Sequence, residues 1–409
     1  MSESGLRRWK WPRRVGMLAL AGILVVAATE LTFRAIVFPD WRSLSPQILV
    51  PHPVFLRFSA SNLVLRQYDP PNFDVTIRTN SRGFRDREQG FEEDLAGVWL
   101  CGGSNVFGTG VNNEETMAAQ IEKAGYRVAN LAAEGSQIEI ETRVIRHLMR
   151  EGHKPKAVIC VITTPGAIYD TVEKGWFDNF DAPLPKPDDI VKEVAKIRSA
   201  TDLLWHTVNG VVPITEEGTI FSVLAVKARL VKSSATYGWL KYGVSEIPAA
   251  FEWLRRKGII ADADHHISGR PELYLKKLPE PQIRQIRNMA RFVGRLRDLI
   301  RTELDVPFGV VLVPTQHQIY PEKFDKYVSH FGLTREAYDL SLPNKRISEA
   351  LEEIGIPVLD LRLPLLSRNG EALTFINNGH LNPKGQNVAA AEILPWIERR
   401  LGVTPVASP

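Results

Sequence analysis

The sequence predicts an α/β protein with a five-stranded parallel sheet, preceded by a helix that spans a membrane. Short apolar runs without polar alternation recur along the chain, which is typical of parallel strands covered on both faces. Amphipathic stretches of helical period separate these runs at short intervals, as in right-handed βαβ units. A basic tail and a long apolar run precede all of them, which indicates a membrane segment.

The elements of the sheet domain can be assigned one by one from period and turn residues. Strands are predicted at 98–101, 126–131, 157–162, 308–313 and 357–361. Helices are predicted at 114–123, 138–151, 282–302, 344–354 and 384–401. Pro395 is expected to kink the last helix, because proline lacks the N–H group that a helix interior needs.

The strand and helix alternation divides the chain into regions. The sheet domain is predicted to consist of 97–169 and 281–401, with a short tail at 402–409. The alternation stops between these two parts, at 170–280, where helices near 189–207 and 218–241 are expected. We interpret 170–280 as an insertion or cap that covers the edge of the sheet or binds a partner protein of the cell envelope. Residues 39–96 are rich in proline and asparagine and are interpreted as an extended wrap.

The amino terminus predicts a single membrane anchor. Residues 1–14 carry five basic residues and one acidic residue, which accounts for the whole net charge of +4. Residues 15–38 could cross a lipid bilayer, with Glu30 and Arg34 on one helical face at its far end. The positive charges would keep the terminus in the cytoplasm. A cleaved signal peptide, ending near Ala27–Thr29, is the alternative. Because the remaining chain is formally neutral, its charge gives no reason to expect nucleic-acid binding.

Other residues of chemical interest are not expected to bind a cofactor. Cys101 and Cys160 fall in predicted buried strands, where neighbouring positions rarely suit disulfide geometry, so they are interpreted as buried free thiols. Metal-ligating residue types also occur together in one polar stretch, at Asp262, Asp264, His265 and His266. Such adjacent residues are usually solvated, so no metal site is predicted.

Ser104 and His380 are the residues that indicate chemistry. Ser104 follows the first strand of the sheet and two glycines, and His380 lies in the loop after the last strand. Both are therefore expected at the carboxyl edge of the parallel sheet, where α/β proteins bind ligands. Imidazole is the usual base that makes a serine hydroxyl nucleophilic. Taken alone, Ser104 could equally be a small polar turn residue.

Several sequence blocks together resemble a known family. They are TNSRGFR at 79–85, GGSNVFGTGV after the first strand, NLAAEG at 130–135, VPTQHQIYP at 313–321, and LDLRLPLL followed by NNGHLNPKG. In this order they resemble the SGNH/GDSL hydrolase superfamily, particularly its membrane-anchored bacterial members. The resemblance covers about 78–170 and 306–395. It implies a flavodoxin-like three-layer α/β/α sandwich, and an esterase, lipase, deacetylase or polysaccharide O-acetyltransferase activity.

The resemblance also implies roles for individual residues. Ser104 would be the nucleophile and His380 the general base, and the N–H groups of Ser104 and Gly135 would form part of an oxyanion hole. Substrate contacts are expected from Asn105 and His317.

Two positions depart from the family pattern. The family has an asparagine after the third strand, where this chain has Thr163 and Thr164, and an aspartate just before the histidine, where it has Asn377 and Asn378. A threonine hydroxyl could replace the missing donor, and an asparagine carbonyl could hold the histidine.

Two functions remain open from the sequence. The first is a periplasmic serine esterase or O-acyltransferase, anchored in the bacterial inner membrane by one helix and acting on O-acetyl esters of an envelope or exported polysaccharide. The second is a scaffold or binding subunit of an envelope complex, in which the fold persists while the site has decayed. The two departures favour the second function, whereas the retained serine and histidine favour the first.

Overall fold

A computed structural model describes most of the chain outside the predicted insertion. The described residues are 10–39, 43, 48–52, 54–69, 72–135, 138–164, 234–243, 247, 249, 253, 271–330, 332–376 and 378–406. The helix predicted at 189–207, most of that predicted at 218–241, and the stretch with Asp262, Asp264, His265 and His266 lie outside them. The partner surface expected at 170–280 therefore also lies largely outside the described residues.

The first described element is an apolar helix, α1 (Lys10–Thr32), that continues into a wider π-helical turn at Phe33–Val37. Within it, Arg14–Val37 is long and apolar enough to cross a membrane, with 24 residues, a mean hydropathy of 2.0 and no burial against the rest of the protein. Glu30 and Arg34 form an ion pair on this helix, with Nε and Oε1 2.7 Å apart. One membrane-spanning helix is thus compatible with the structure.

Two β-hairpins occupy the segment that we expected to be an extended wrap. β1 (Leu49–His52) pairs with β2 (Leu56–Ser59), and β3 (Val64–Asp69) pairs with β4 (Phe73–Arg78), both antiparallel. Strand β4 alternates strictly between buried and less buried positions, with Phe73, Val75 and Ile77 facing the protein. This alternation is what attaches the second hairpin to the sheet domain.

The predicted five-stranded parallel sheet is present. Its strands are β5 (Val98–Gly102), β6 (Val128–Asn130), β7 (Ala157–Thr163), β8 (Phe308–Val313) and β9 (Val358–Asp360). The order across the sheet is β6-β5-β7-β8-β9, and all four pairs are parallel. Counted along the chain, this is the order 2-1-3-4-5, so the winding direction reverses between β5 and β7.

The helices of the described chain include the five that we predicted for the sheet domain, together with several others that we did not predict. They are α2 (Phe91–Asp94), α3 (Ser104–Phe107), α4 (Met117–Lys123), α5 (Ile138–Arg150), α6 (Ala235–Gly243), α7 (Glu280–Leu304), α8 (Gln316–Ile319), α9 (Pro321–His330), α10 (Leu342–Glu352), α11 (Arg362–Leu366) and α12 (Pro383–Trp396). Pro395 lies inside α12, and the helix widens into a π-helical turn at Ile397–Leu401 two residues later. Short 3₁₀ turns occur at Asn113–Glu115, Pro271–Tyr274 and Arg335–Ala337.

A hydrophobic cluster covers each face of the sheet. One face packs against α5, α7 and α10, and the other against α4, α11 and α12. Fully burying one Val, Leu, Ile or Phe side chain contributes about 1.5–3 kcal/mol, so these two clusters supply most of the driving force for folding. Cys101 and Cys160 face each other across β5 and β7 as buried free thiols, as expected.

Helix α6 contacts the end of the anchor helix. The Glu30 carboxylate accepts hydrogen bonds from the Ala235 N–H and the Ser234 hydroxyl, both at 2.7 Å, so it caps the amino end of α6. The Phe33 and Trp239 rings meet edge to face with centroids 5.3 Å apart. Helix α6 is therefore attached to the far end of the apolar helix.

Candidate functional site

Ser104 lies at the point where β5 turns abruptly into α3. The turn requires glycine at position 102, because a Cβ atom there would lie 2.5 Å from Val106 Cγ2 and 3.0 Å from the Val161 carbonyl oxygen. Ser104 is the first residue of α3, so its backbone N–H has no partner within that helix. The Ser104 hydroxyl and the Ser104 N–H group thus lie together at the carboxyl edge of the sheet.

His380 lies in a narrow loop that leads into α12. An isolated antiparallel bridge joins Thr374 to Leu381, and the Phe375 N–H donates to the His380 carbonyl at 3.0 Å. Gly379 adopts φ +77°, a conformation that side chains rarely permit. Asn382 then caps α12 by accepting a hydrogen bond from the Gly385 N–H at 3.1 Å. These constraints hold the imidazole in one place.

The two predicted residues meet, although 276 positions separate them. His380 Nε2 lies 2.8 Å from Ser104 Oγ. On its other side, His380 Nδ1 makes a short hydrogen bond with Asn378 Oδ1. Desolvation lowers the pKa of His380 to about 4, so the imidazole is neutral near pH 7 and can accept a proton. Asn377, the other asparagine we predicted here, lies outside the described residues.

Asn105 connects the serine and histidine segments. Its Oδ1 accepts a hydrogen bond from the Leu381 N–H at 3.0 Å, next to His380. Its backbone carbonyl accepts another from Gln386 Nε2 at 2.8 Å. Asn105 is buried, with 5% of its surface exposed. Asn105 therefore holds the segments that carry Ser104 and His380 together, although we had expected it to contact a substrate.

The two threonines after β7 differ in what they bind. Thr163 is half-buried, and its Oγ1 accepts a hydrogen bond from Asn105 Nδ2 at 3.1 Å. Since that oxygen serves as acceptor, the Thr163 hydroxyl hydrogen can be offered to a ligand. Thr164 is buried, and its Oγ1 lies 2.6 Å from Asn344 Oδ1. The Thr164 hydroxyl is therefore used inside the protein.

Gly135 lies in the turn after β6, with φ +61° and an exposed backbone. The preceding Asn130 connects this segment to the serine helix, because its Nδ2 donates to the Val106 carbonyl at 3.2 Å. Beside Gly135, desolvation raises the pKa of Glu134 to about 7, and Thr109 Oγ1 lies 3.4 Å from its Oε1. The NLAAEG block thus borders the serine segment.

His317, which we expected to contact a substrate, lies in the core. Its side chain has 0% exposure, and its ring approaches the edge of Phe324 with centroids 6.4 Å apart. No surface of His317 is accessible to a substrate in this structure. The histidine follows β8 at the correct edge of the sheet, but helix α8 turns it inward.

Arg85, from the TNSRGFR block, organises the loop after Ser104. It is a buried arginine whose guanidinium donates to the carbonyl groups of Phe107, Gly108 and Val111, and its Nε donates to Asn113 Oδ1 at 3.1 Å. Desolvation lowers its pKa to about 10, so it remains protonated at neutral pH. Through these hydrogen bonds to three carbonyl groups, the buried Arg85 connects the TNSRGFR block to the loop that follows Ser104.

Three neighbouring carboxylates have the spacing of a cation site, but an arginine side chain already pairs with them. Asp86, Asp94 and Glu122 bring their oxygen atoms within 4.8 Å of one another. Arg87 pairs with both oxygens of Asp94, at 2.6 and 2.7 Å, and lies 3.4 Å from Glu122. The group therefore already has a positive partner, and we assign it no metal.

Comparisons with known proteins leave the family open. No family model matches this chain, and no curated protein sequence matches it. One solved structure aligns with 75% of this chain and 98% of its own, with 11% sequence identity and a TM-score of 0.33. What can be said of function therefore comes from the geometry around Ser104.

Proposed function

We propose that this protein is a membrane-anchored serine esterase or O-acyltransferase with an SGNH-like site on a flavodoxin-like α/β/α sandwich. The observation that carries the proposal is the 2.8 Å contact between Ser104 Oγ and His380 Nε2 at the carboxyl edge of the sheet. The strand order 2-1-3-4-5 supports the flavodoxin-like assignment, since that order is characteristic of the fold. Helices on both faces support the sandwich.

The position of the pair within the sheet adds a second argument. In open α/β sheets, ligands bind outside the carboxyl ends of the strands where the winding direction reverses. Here the reversal lies between β5, which leads to Ser104, and β7, which ends at Thr163. A substrate at this crevice would lie between the nucleophile and the Thr163 hydroxyl.

The chemistry follows from these groups. His380 Nε2 accepts the Ser104 hydroxyl proton while Oγ forms a bond to the acyl carbon, and the carbonyl electron pair moves onto oxygen. Collapse breaks the bond to the alcohol, which leaves with the proton from His380. The acyl group on Ser104 then passes to water or to a sugar hydroxyl, whose proton returns through His380 to Ser104 Oγ.

We assign the negative oxygen of the intermediate to the Ser104 N–H and the Thr163 hydroxyl. The sequence resemblance adds the Gly135 N–H as a further donor. Preorganised donors of this kind are worth roughly a hundred- to a thousandfold each in rate. Asn105 Nδ2 orients the Thr163 oxygen, so the hydroxyl can take the place of the family's asparagine.

The anchor suggests where the reaction takes place. The basic residues at 1–14, which precede the apolar run of α1, favour a cytoplasmic amino terminus, and the sheet domain would then lie on the periplasmic side of the inner membrane. An O-acetyl ester of an envelope or exported polysaccharide would be accessible there. The substrate class rests on the sequence resemblance and this location.

The test is fluorophosphonate labelling of the full chain in detergent, followed by turnover of a small acetyl ester such as p-nitrophenyl acetate. Wild type should be labelled at one site and release acetate, and Ser104→Ala and His380→Ala should do neither. Folded wild-type protein that takes up no probe would favour the non-catalytic envelope subunit instead.

A further inference from the structure

A carboxylate from outside the sheet domain lies behind the histidine. Asp69 is the last residue of β3, and its Oδ2 accepts a hydrogen bond from Asn378 Nδ2 at 3.0 Å. The same oxygen accepts another from Asn72 Nδ2 at 3.0 Å. The contacts thus run in a line from Asp69 through Asn378 and His380 to Ser104.

The hairpin that carries Asp69 is fixed to both sides of the site. Phe73 and Val75 form a buried cluster with Val111 from the serine loop and Phe375 from the histidine loop. The Phe73 and Phe375 rings meet with centroids 5.0 Å apart. Gly110 lies in this contact, since a Cβ there would come within 2.5 Å of Phe73. Asp69 is therefore positioned by packing as well as by its hydrogen bonds.

Asp69 determines which way the Asn378 amide faces. An ionised carboxylate accepts hydrogen bonds and donates none, so the amide must present its NH₂ group to Asp69. Asn378 Oδ1 then faces His380. The opposite orientation would place the amide oxygen against the carboxylate and leave two acceptors in contact.

The amide orientation in turn determines the tautomer of His380. A carbonyl oxygen at Nδ1 requires that Nδ1 carry the hydrogen, which leaves Nε2 with a lone pair toward Ser104 Oγ. An amide that faced the other way would stabilise the tautomer with hydrogen on Nε2, which cannot accept the serine proton. That loss of the correct tautomer is why replacing the triad aspartate with asparagine costs serine proteases about ten thousandfold.

We infer that Asp69 is the positioning residue of this site: through Asn378 it replaces the aspartate that the family has next to its histidine. The inference rests on the proposed function, because it assigns a role in activating Ser104. It also explains how asparagine can stand at position 378 in a working enzyme.

The experiment exchanges the acid and the amide. Asp69→Asn leaves the amide of Asn378 free to turn, so the labelling rate and kcat should fall at least about a hundredfold with KM nearly unchanged. Asn378→Asp places two carboxylates against each other and should also be slow. In the double variant, an amide at position 69 can donate to a carboxylate at position 378, and activity should return to within about tenfold of wild type.

Two results would overturn the inference. One is wild-type kinetics in Asp69→Asn, and the other is a double variant no faster than the slower single variant. If Asp69 had a purely structural role, the double variant would be no faster than the slower single variant, since the side chains at positions 69 and 378 would both be altered. Melting temperatures of all four proteins separate a lost fold from a lost tautomer.

A spectroscopic readout keeps the inference distinguishable from the proposed function. In the full chain with ¹⁵N-labelled histidine, His380, identified by its loss in His380→Gln, should show hydrogen on Nδ1 in wild type and a shift toward Nε2 in Asp69→Asn. If folded wild-type protein does not react with the fluorophosphonate probe, the esterase proposal is rejected. The tautomer of His380 can still be measured in that case, so the role of Asp69 is decided separately. Identical tautomers in wild type and Asp69→Asn would reject the role of Asp69.

Discussion

Asn105 Oδ1 accepts a hydrogen bond from the Leu381 backbone N–H at 3.0 Å, so the residue after Ser104 holds the residue after His380. A second hydrogen bond, from Gln386 Nε2 to the Asn105 carbonyl, joins the same two segments at 2.8 Å. The contact through Asn105 Oδ1 has consequences for both rate and stability, and it can be removed without touching either reacting group.

Replacing Asn105 with alanine should slow the reaction and weaken the fold. A displacement of about 1 Å at a reacting group can cost about a hundredfold in rate, so we expect a loss of that order in kcat. The buried Leu381 N–H would also lose its partner, which typically costs about 1–3 kcal/mol of unfolding free energy. Acetyl-ester turnover measures the loss in kcat, and chemical denaturation measures the loss in stability.

Asn105→Asp is the matched control for that variant. It keeps an acceptor for Leu381 but takes the donor from Thr163, whose hydroxyl would then donate to the new carboxylate. Stability should recover more than kcat. Wild-type labelling by Asn105→Ala would contradict the assigned role.

A second prediction concerns the donor at Thr163. Thr163→Val removes the hydroxyl and should lower kcat by roughly a hundred- to a thousandfold, as expected for one lost oxyanion donor. Thr163→Ser retains the hydroxyl and should remain within about tenfold of wild type. Acetyl-ester turnover measures both.

The neighbouring threonine separates this effect from general damage. Thr164→Val removes a hydroxyl that serves Asn344 inside the core, so it should lower stability by about 1–3 kcal/mol and leave kcat of the folded protein largely intact. If Thr163→Val turns over the ester as fast as wild type, the backbone N–H groups alone stabilise the oxyanion.

The sequence was informative where chemistry follows from sheet topology. Ser104 and His380 follow strands of one parallel sheet, so their meeting could be predicted without any spacing rule. Burial of both cysteines was likewise predictable, because they lie in strands with no polar alternation. These inferences depend only on local period and on the direction of the strands.

Asp69 could not be found in the same way. Its role depends on how a hairpin docks on loops about forty and three hundred residues later, and no local pattern encodes that. One signal was available, because Phe73, Val75 and Ile77 alternate with polar residues as a half-buried strand does. His317 shows the converse, since residue type and position at the sheet edge suggested a contact that the inward turn of α8 removes.

A third prediction follows from the lowered pKa of His380. The base must be neutral to act, and desolvation holds its pKa at about 4 in the folded protein. We therefore expect the acid limb of the kcat/KM profile near pH 4 instead of near the ordinary value of 6.5. An acid limb at pH 6 or above would mean that the imidazole is solvated in the free enzyme.

Glu134 supplies the control for that profile. Its pKa of about 7 puts a second titration near the site, next to Gly135. Any inflection near pH 7 should disappear in Glu134→Gln, whereas the acid limb near pH 4 should remain. Asp69 stays in both proteins, so the comparison isolates the carboxyl of Glu134.

The last prediction concerns stability at a distance from the site, at Glu141. This carboxyl is buried beside Cys160, with Oε2 3.7 Å from Sγ, and desolvation raises its pKa to about 8. The folded chain therefore holds a proton between pH 4.5 and 8 that the unfolded chain has released. It follows that the contribution of Glu141 to stability falls as pH rises through that window and levels off above pH 8.

Glu141→Gln keeps the shape of the side chain without the titrating group, so its stability relative to wild type should increase from pH 5 to pH 9. Each pKa unit is worth about 1.4 kcal/mol, which makes a gain on the order of a few kcal/mol measurable by urea denaturation of the full chain in detergent. Parallel curves for wild type and Glu141→Gln would mean that the carboxylate is solvated or paired in the native protein.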